Sequence, residues 1–262
     1  ALLQFMKMVK NLFSLLYSRQ TSILSGATII MLTMLLAKVL GLIKDRLLAD
    51  FFSPDTIDIF WAAFRLPDLI FQIVILGALS VAFIPVFIEF NENKGKEEAF
   101  ELSRAILNLC LITFIIASVV IYIFASPIIT HLIAPGFPYP KQQQVIELTR
   151  IIIFGQIILV FGAFFIGILQ SFQKFIIPAF APVFYNLGII LGIVFLSGSM
   201  GIKGAAYGVI IGAVLHALIQ LPLILSVGFR FKLPLKLFHP GVKEIMKLMS
   251  QREALLENSN TR

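Results

Sequence analysis

Charge is the first scarcity in this chain. Only 13% of its 262 residues are Asp, Glu, Lys or Arg, about half the share in an ordinary soluble domain. Cysteine is nearly missing as well. Cys110 stands alone in an apolar run, which excludes a disulfide framework within the chain and any Cys/His metal spacing. There are three histidines and one tryptophan. No activated-nucleophile motif, Gly-rich phosphate loop or metal-ligand cluster is found, so the chain reads as a non-enzyme that needs no cofactor. What is abundant is apolar surface: 59% of residues are hydrophobic and the mean hydropathy is +0.97. That is more than one core can hide, so the solvent must be lipid. The net charge of +7 then fits loops facing an anionic membrane leaflet better than it fits nucleic acid.

Read in order, residues 1–20 place Leu2, Phe5, Met6, Val9, Leu12, Phe13 and Leu16 at helical spacing. That pattern suits an amphipathic helix lying in the membrane interface, or an extension of the first span. Six spans follow, each near the roughly 20 residues that a bilayer core requires: 22–43, 57–88, 105–126, 151–170, 176–198 and 205–228. Together, 21–229 make an all-α, six-helix polytopic membrane lobe. Pro67 is expected to kink the second span. The break at 126–144 holds Pro127, Pro135, Gly136, Pro138 and Pro140 and reads as a structured loop. Residues 230–249 are basic and lead toward a seventh helix; 250–262 read as a disordered polar tail. Lys94, Lys96, Arg104, Lys174 and Arg230 fall on one side of the spans, together with the terminal lysines. Lys44, Arg46, Lys141, Arg150 and Lys203 fall on the other. The positive-inside rule makes the first side cytoplasmic, with both termini inside.

Ionisable residues inside such spans are costly and usually functional. Residues seven apart share a helix face. Lys38 and Asp45 are so placed, with Gly41 near them. In the second span Asp58, Arg65 and Gln72 form a stripe flanked by Trp61 and Asp68, and Arg65 can pair with Asp68 three residues on. This stripe, with Lys44, is expected to face other helices or a wet cavity. The competing reading has Lys38 snorkelling to the interface and residues 44–68 forming a loop with its flanks. His216, beside Gln220, reads as hydrogen-bonded between helices rather than as a proton relay. Asn186 reads equally as an interhelical hydrogen bond or a cavity lining. Gly188 and Gly192 read as close-packing positions.

Several runs together carry a resemblance: KVLGLIKD at 38–45, FRLPDL at 64–69, GALSVAFIPV at 77–86, APGF at 134–137, and IPAFAP at 177–182 followed by Asn186. In this order, over about residues 22–249, the chain resembles the N-terminal half of the MurJ/MviN family, lipid II flippases of the MOP transporter superfamily. The resemblance implies a lobe that rocks against a second lobe around a cationic cavity. That cavity would take the pyrophosphate head of lipid II, or of a related undecaprenyl-pyrophosphate-linked sugar, in the bacterial cytoplasmic membrane. By position, Lys38, Lys44 and Arg65 stand at basic cavity positions, and Asp45 and Asp58 match family acids that hold those cations in place. Departures are visible: lysines replace both first-helix arginines, Phe71-Gln72 replaces a basic pair, and Leu76 replaces an acid. The second lobe, or a second copy, is an implied partner, and a coupling ion or the membrane potential an implied drive. The rival readings are a MATE-like drug/cation antiporter lobe, and a non-transporting scaffold or inactive truncated product.

Overall fold

A chain whose solvent is lipid must satisfy its backbone within each segment, and a helix does so. The computed structural model describes residues 23–79, 83–231 and 241–242, and every regular element among them is helical. Helix α1 spans Ile23–Phe51, α2 Pro54–Leu79, α3 Phe83–Asn93, and α4 Lys96–Ile128 with a π-helical turn continuing through Ile129–Ile133. Helix α5 spans Tyr139–Ser171, α6 Ile176–Met200, α7 Ile202–Leu218, and the short α8 Leu221–Ser226. Among the described residues four stretches are long and apolar enough to cross a membrane: Lys96–Ile133, Tyr139–Ser171, Ile176–Met200 and Ile202–Ser226. Helices α1 and α2, of 29 and 26 residues, are of comparable length and carry the charged stripe. The chain is an all-α, multi-pass membrane protein. The amphipathic helix expected at 1–20, the tail at 250–262 and most of 230–249 lie outside the described residues.

Several boundaries move from their expected places, each for a local reason. Helix α1 runs past residue 43 to Phe51, so residues 44–50 are helical rather than a loop. Phe52 and Ser53 then leave the helix, as a residue before proline is pushed out of the helical region. Pro54 then starts α2, where its missing N–H is no loss. Thr56 closes the corner, its N–H donating to Ser53 O at 2.9 Å. The span expected at 57–88 is covered by α2 and α3, and residues 80–82 between them lie outside the described residues. Helix α2 continues through Pro67. The break in helical dihedrals lies instead in α4, at Phe124 (φ −95°, ψ 15°), three residues before Pro127. The loop expected at 126–144 shrinks to residues 134–138, pinned where Gln142 Nε2 donates to Ala134 O at 3.0 Å.

Without a hydrophobic drive between helices in lipid, close packing and hydrogen bonds hold them together. The tightest pair is α6 against α7. A Cβ added to Gly188 would strike the Gly212 backbone, and one on Gly192 would strike Gly208. These small residues let the two backbones touch, as their spacing predicts. Helix α5 lies against α7 and α2, while α1 packs along α6 and barely meets its sequence neighbour α2. Asn186 Nδ2 on α6 donates to Ala37 O on α1 at 3.1 Å, a staple across that pair.

Two apolar clusters fill the bundle. One gathers Leu48, Ile59, Phe60, Ile152, Ile189 and Val209. The other gathers Phe83, Phe87, Phe100, Phe164, Ile168 and Leu223. Apart from the cations between α1 and α2, several described cations sort to two ends. At one, Arg104 pairs with Glu97 at 2.8 Å and donates to Arg230 O, and Lys96 lies over Phe100 and Phe172. At the other, Lys141 pairs with Asp55 at 2.6 Å and Lys203 pairs with Glu147.

The glycine contacts predict a contrast measurable by thermal unfolding in detergent. Gly192→Val should destabilise the lobe by about 1–3 kcal/mol or abolish folding, since overpacking at a backbone contact cannot relax. Gly198→Ala, where a Cβ meets open space, should be neutral or stabilising by up to about 1 kcal/mol.

Candidate functional site

Where α1 parts from α2, a cavity of about 520 Å³ opens between α1, α2, α5, α6 and α7. It sits at the level where the two apolar clusters meet. On α2, Ile59, Phe60, Ala62 and Ala63 belong to one cluster and Ile75 to the other. Between them lie Trp61, Phe64, Arg65, Asp68 and Phe71, all lining the cavity. On α5 the same transition falls between Ile152 and Val160, and there Gln156 and Leu159 line the cavity. From α6 come Tyr185 and Ile189, from α7 His216, and from α1 Lys44. The lining is mostly aromatic and aliphatic, with a few convergent polar groups, which is the usual make-up of a ligand site.

Lys44 is held from two sides. Its Nζ lies 3.3 Å from Asp45 Oδ1 and 5.0 Å from the centroid of the Trp61 ring, a contact that favours a cation. The Lys44 side chain is 14% exposed, while that of Asp45 is 52% exposed. Arg65, on the neighbouring helix, does not pair with Asp68 as expected. Asp68 Oδ2 accepts from Gln72 Nε2 at 2.7 Å, and among the described residues no carboxylate lies within ion-pairing distance of Arg65. The guanidinium keeps its donors for another partner. Among the described residues no group of three His, Cys, Asp or Glu is placed to hold a metal ion.

The structure thus brings together Lys44, Arg65 and Asp68, with Asp45 and Gln72 as direct neighbours of two of them. It does not bring in Lys38, which is exposed on α1 and outside the lining. Helical geometry explains this. Six residues from Lys44 put Lys38 about 9 Å away along the axis and a third of a turn around it. Asp58 is also exposed, at the start of α2 and outside the lining. Gly41 is half-buried, and a Cβ there would meet open space, so nothing in the described packing requires glycine. Asn186 serves as the α6–α1 staple rather than as lining.

Two cavity residues are not among the expected site residues: Gln156 is not singled out by charge, and His216 is read as hydrogen-bonded between helices. Gln156 is 2% exposed and buried in α5, and His216 is 6% exposed in α7. His216 is not hydrogen-bonded between helices as expected: its Nδ1 has no partner among the described residues. Gln220, one turn on, takes that role, its Nε2 donating to Gly162 O at 3.1 Å and to His216 O at 2.9 Å.

Trp61 is the sole tryptophan, so its fluorescence reports on the cavity alone. Iodide should quench it more effectively than neutral acrylamide. Lys44→Gln should remove about half of that iodide advantage, one of two lining cations being lost, and leave acrylamide quenching unchanged.

Comparisons with known proteins agree on a family. The model of the family described as lipid II flippase MurJ matches residues 47–254. The probable lipid II flippase MurJ of Treponema pallidum is 32% identical over 241 residues, covering 88% of this chain and 45% of its own. Lipid II flippase MurJ of Burkholderia cenocepacia is 31% identical over 229 residues, covering 82% and 43%. A solved lipid II flippase MurJ in an inward closed conformation superposes with a TM-score of 0.66 at 22% identity, covering 84% of this chain and 46% of that one. An outward-facing multidrug resistance MATE family transporter of the MOP superfamily gives 0.63, also at 22% identity, over 90% and 52%. The structural likenesses show the fold, and the chain spans less than half the length of the curated relatives it matches. With the family model covering most of the sequence and relatives above 30% identity, the chain belongs to the MurJ lipid II flippase family.

Proposed function

We propose that this chain forms one lobe of a flippase for a polyprenyl-pyrophosphate-linked sugar of the lipid II type. The observation that carries this reading is the convergence of Lys44 and Arg65 in a cavity whose other lining residues, Asp68 apart, are apolar or neutral, between two apolar layers. A charge at that depth is tolerated only when it faces protein, water or a counter-ion. A pyrophosphate crossing roughly 30 Å of hydrocarbon needs such a stopping point. Arg65 offers a fork of donors suited to phosphate oxygens, while Lys44 offers a compact point charge. Asp45 and Trp61 hold Lys44 in place, and the Asp68–Gln72 pair borders Arg65. Lys38 and Asp58 are assigned no contact with the head group. No bond in the cargo is made or broken, so the task is transport rather than catalysis.

The lobe would sit in the bacterial inner membrane with both termini cytoplasmic. This places the end that holds Arg104, Glu97 and Lys96 inside. A second lobe, or a second copy, would close the cavity and rock against it. The exposed apolar residues of α1, among them Met31, Leu35 and Leu42, offer a surface toward that partner or the bilayer. The drive would be a coupling ion or the membrane potential. A drug/cation antiporter lobe is less well supported, because the lining acid, Asp68, already accepts from Gln72 and shares the cavity with two cations.

The test is binding of undecaprenyl pyrophosphate to the purified chain in nanodiscs. Neutralising Lys44 or Arg65 to Gln should weaken binding about 10- to 100-fold each, the range for a charge-assisted hydrogen bond. Lys38→Gln should change it less than about two-fold, as for an exposed charge. Unchanged affinity in the Lys44/Arg65 double variant would overturn the assignment.

A further inference from the structure

The cavity has two unlike walls. On α1 and α2 it is charged. On α5, α6 and α7 it is neutral, yet not wholly apolar, for Gln156, Tyr185 and His216 open onto it. Gln156 Oε1 and His216 Nδ1 are buried without a hydrogen-bond partner among the described residues. Such atoms are uncommon in folded proteins and each calls for an explanation.

Packing does not supply one. Around Gln156, α5 gives Ile152 to one apolar cluster and Val160 to the other and buries Ile153 and Leu159, and a leucine would continue that run. Nor are these side chains the tie between helices. Gln220 already links α7 to α5 through Gly162 O. The fold also makes room for the imidazole: a Cβ on Gly162 would collide with His216 Nδ1. Gln156 and His216 thus line the same cavity as the two cations, and each keeps a buried polar atom that the protein leaves unused, His216 Nδ1 beside Gly162.

We propose that Gln156 and His216 form a subsite for the uncharged part of the head group, the hydroxyl- and acetamido-bearing sugar joined to the pyrophosphate. The proposal rests on the flippase reading above and extends it. Once Lys44 and Arg65 hold the phosphates against α1 and α2, the adjoining sugar is directed across the cavity. Its hydroxyl and amide N–H groups are donors for Gln156 Oε1, and a histidine ring offers one donor and one acceptor in its neutral form. A cavity of about 520 Å³ falls within the range of sites that enclose small molecules. A site of this kind discriminates sharply, because a ligand without matching groups leaves the buried ones unpaired. The cations would therefore set affinity for any polyprenyl pyrophosphate, and the neutral wall would select those that carry a sugar.

The experiment compares two probes on the full chain in nanodiscs: undecaprenyl pyrophosphate, and the same lipid bearing an N-acetylated sugar. The wild-type chain should bind the sugar-bearing lipid about ten-fold more tightly. Gln156→Leu should erase most of that preference while lowering affinity for the bare pyrophosphate far less. His216→Gln, which keeps a hydrogen-bonding group and guards against misfolding, should retain most of the preference that His216→Leu loses. Equal wild-type binding of both probes, a preference undiminished in Gln156→Leu, or equal weakening of both probes would overturn the subsite and leave the cationic site standing. Failure of the wild-type chain to bind either probe would overturn the flippase reading and the subsite with it.

Discussion

A positive charge placed midway through a bundle that sits in lipid has to be turned away from the acyl chains. Much of this lobe follows from that requirement. Helix α1 lies along α6 rather than closing on α2, and the gap between them leaves Lys44 and Arg65 a space to face. Aromatic rings from α2 line the space, and Trp61 lends its face to the Lys44 ammonium. The apolar clusters on either side keep the polar level thin, so that most of each helix can still meet hydrocarbon.

The small residues of α6 and α7 are the structural counterpart of that opening. Because their backbones touch through Gly188, Gly192, Gly208 and Gly212, those helices form a tight spine against which α5 and α1 pack. The Asn186–Ala37 hydrogen bond then fixes α1 to this spine. A lobe assembled this way has one dense side and one open side. On the proposed reading, that open side is where a second lobe would close over the cavity.

Much of this was legible in the amino acids. Long apolar runs imposed the all-α membrane class. Of the stripe read as Asp58, Arg65 and Gln72 on α2, only Arg65 lines the cavity, together with the flanking Trp61 and Asp68. Position along and around the helix was harder to read. Lys38 and Asp45 do share a face, yet Lys44 is the α1 residue that reaches the cavity, because the partner of α1 is α6, with 149 positions between Ala37 and Asn186 where they are tied. No local pattern announces that pairing. Arg65 and Asp68 stood at ion-pair spacing, but Gln72 competed for the carboxylate. Gln156 carried a faint signal, a lone amide in an apolar stretch, which no charge-based search would weigh. For His216 the polar partner was sought in the wrong side chain, since Gln220 one turn later makes the bond between helices.

The central claim is that Lys44 and Arg65 jointly seat a pyrophosphate. Solid-state NMR in bilayers tests it most directly, through distances from the lipid phosphorus nuclei to nitrogen-labelled lysine and arginine side chains. The account predicts ion-pairing distances to both Lys44 Nζ and the Arg65 guanidinium, and none to Lys38. Phosphorus that contacts Lys38 or the terminal lysines, while Lys44 and Arg65 remain distant, would contradict it.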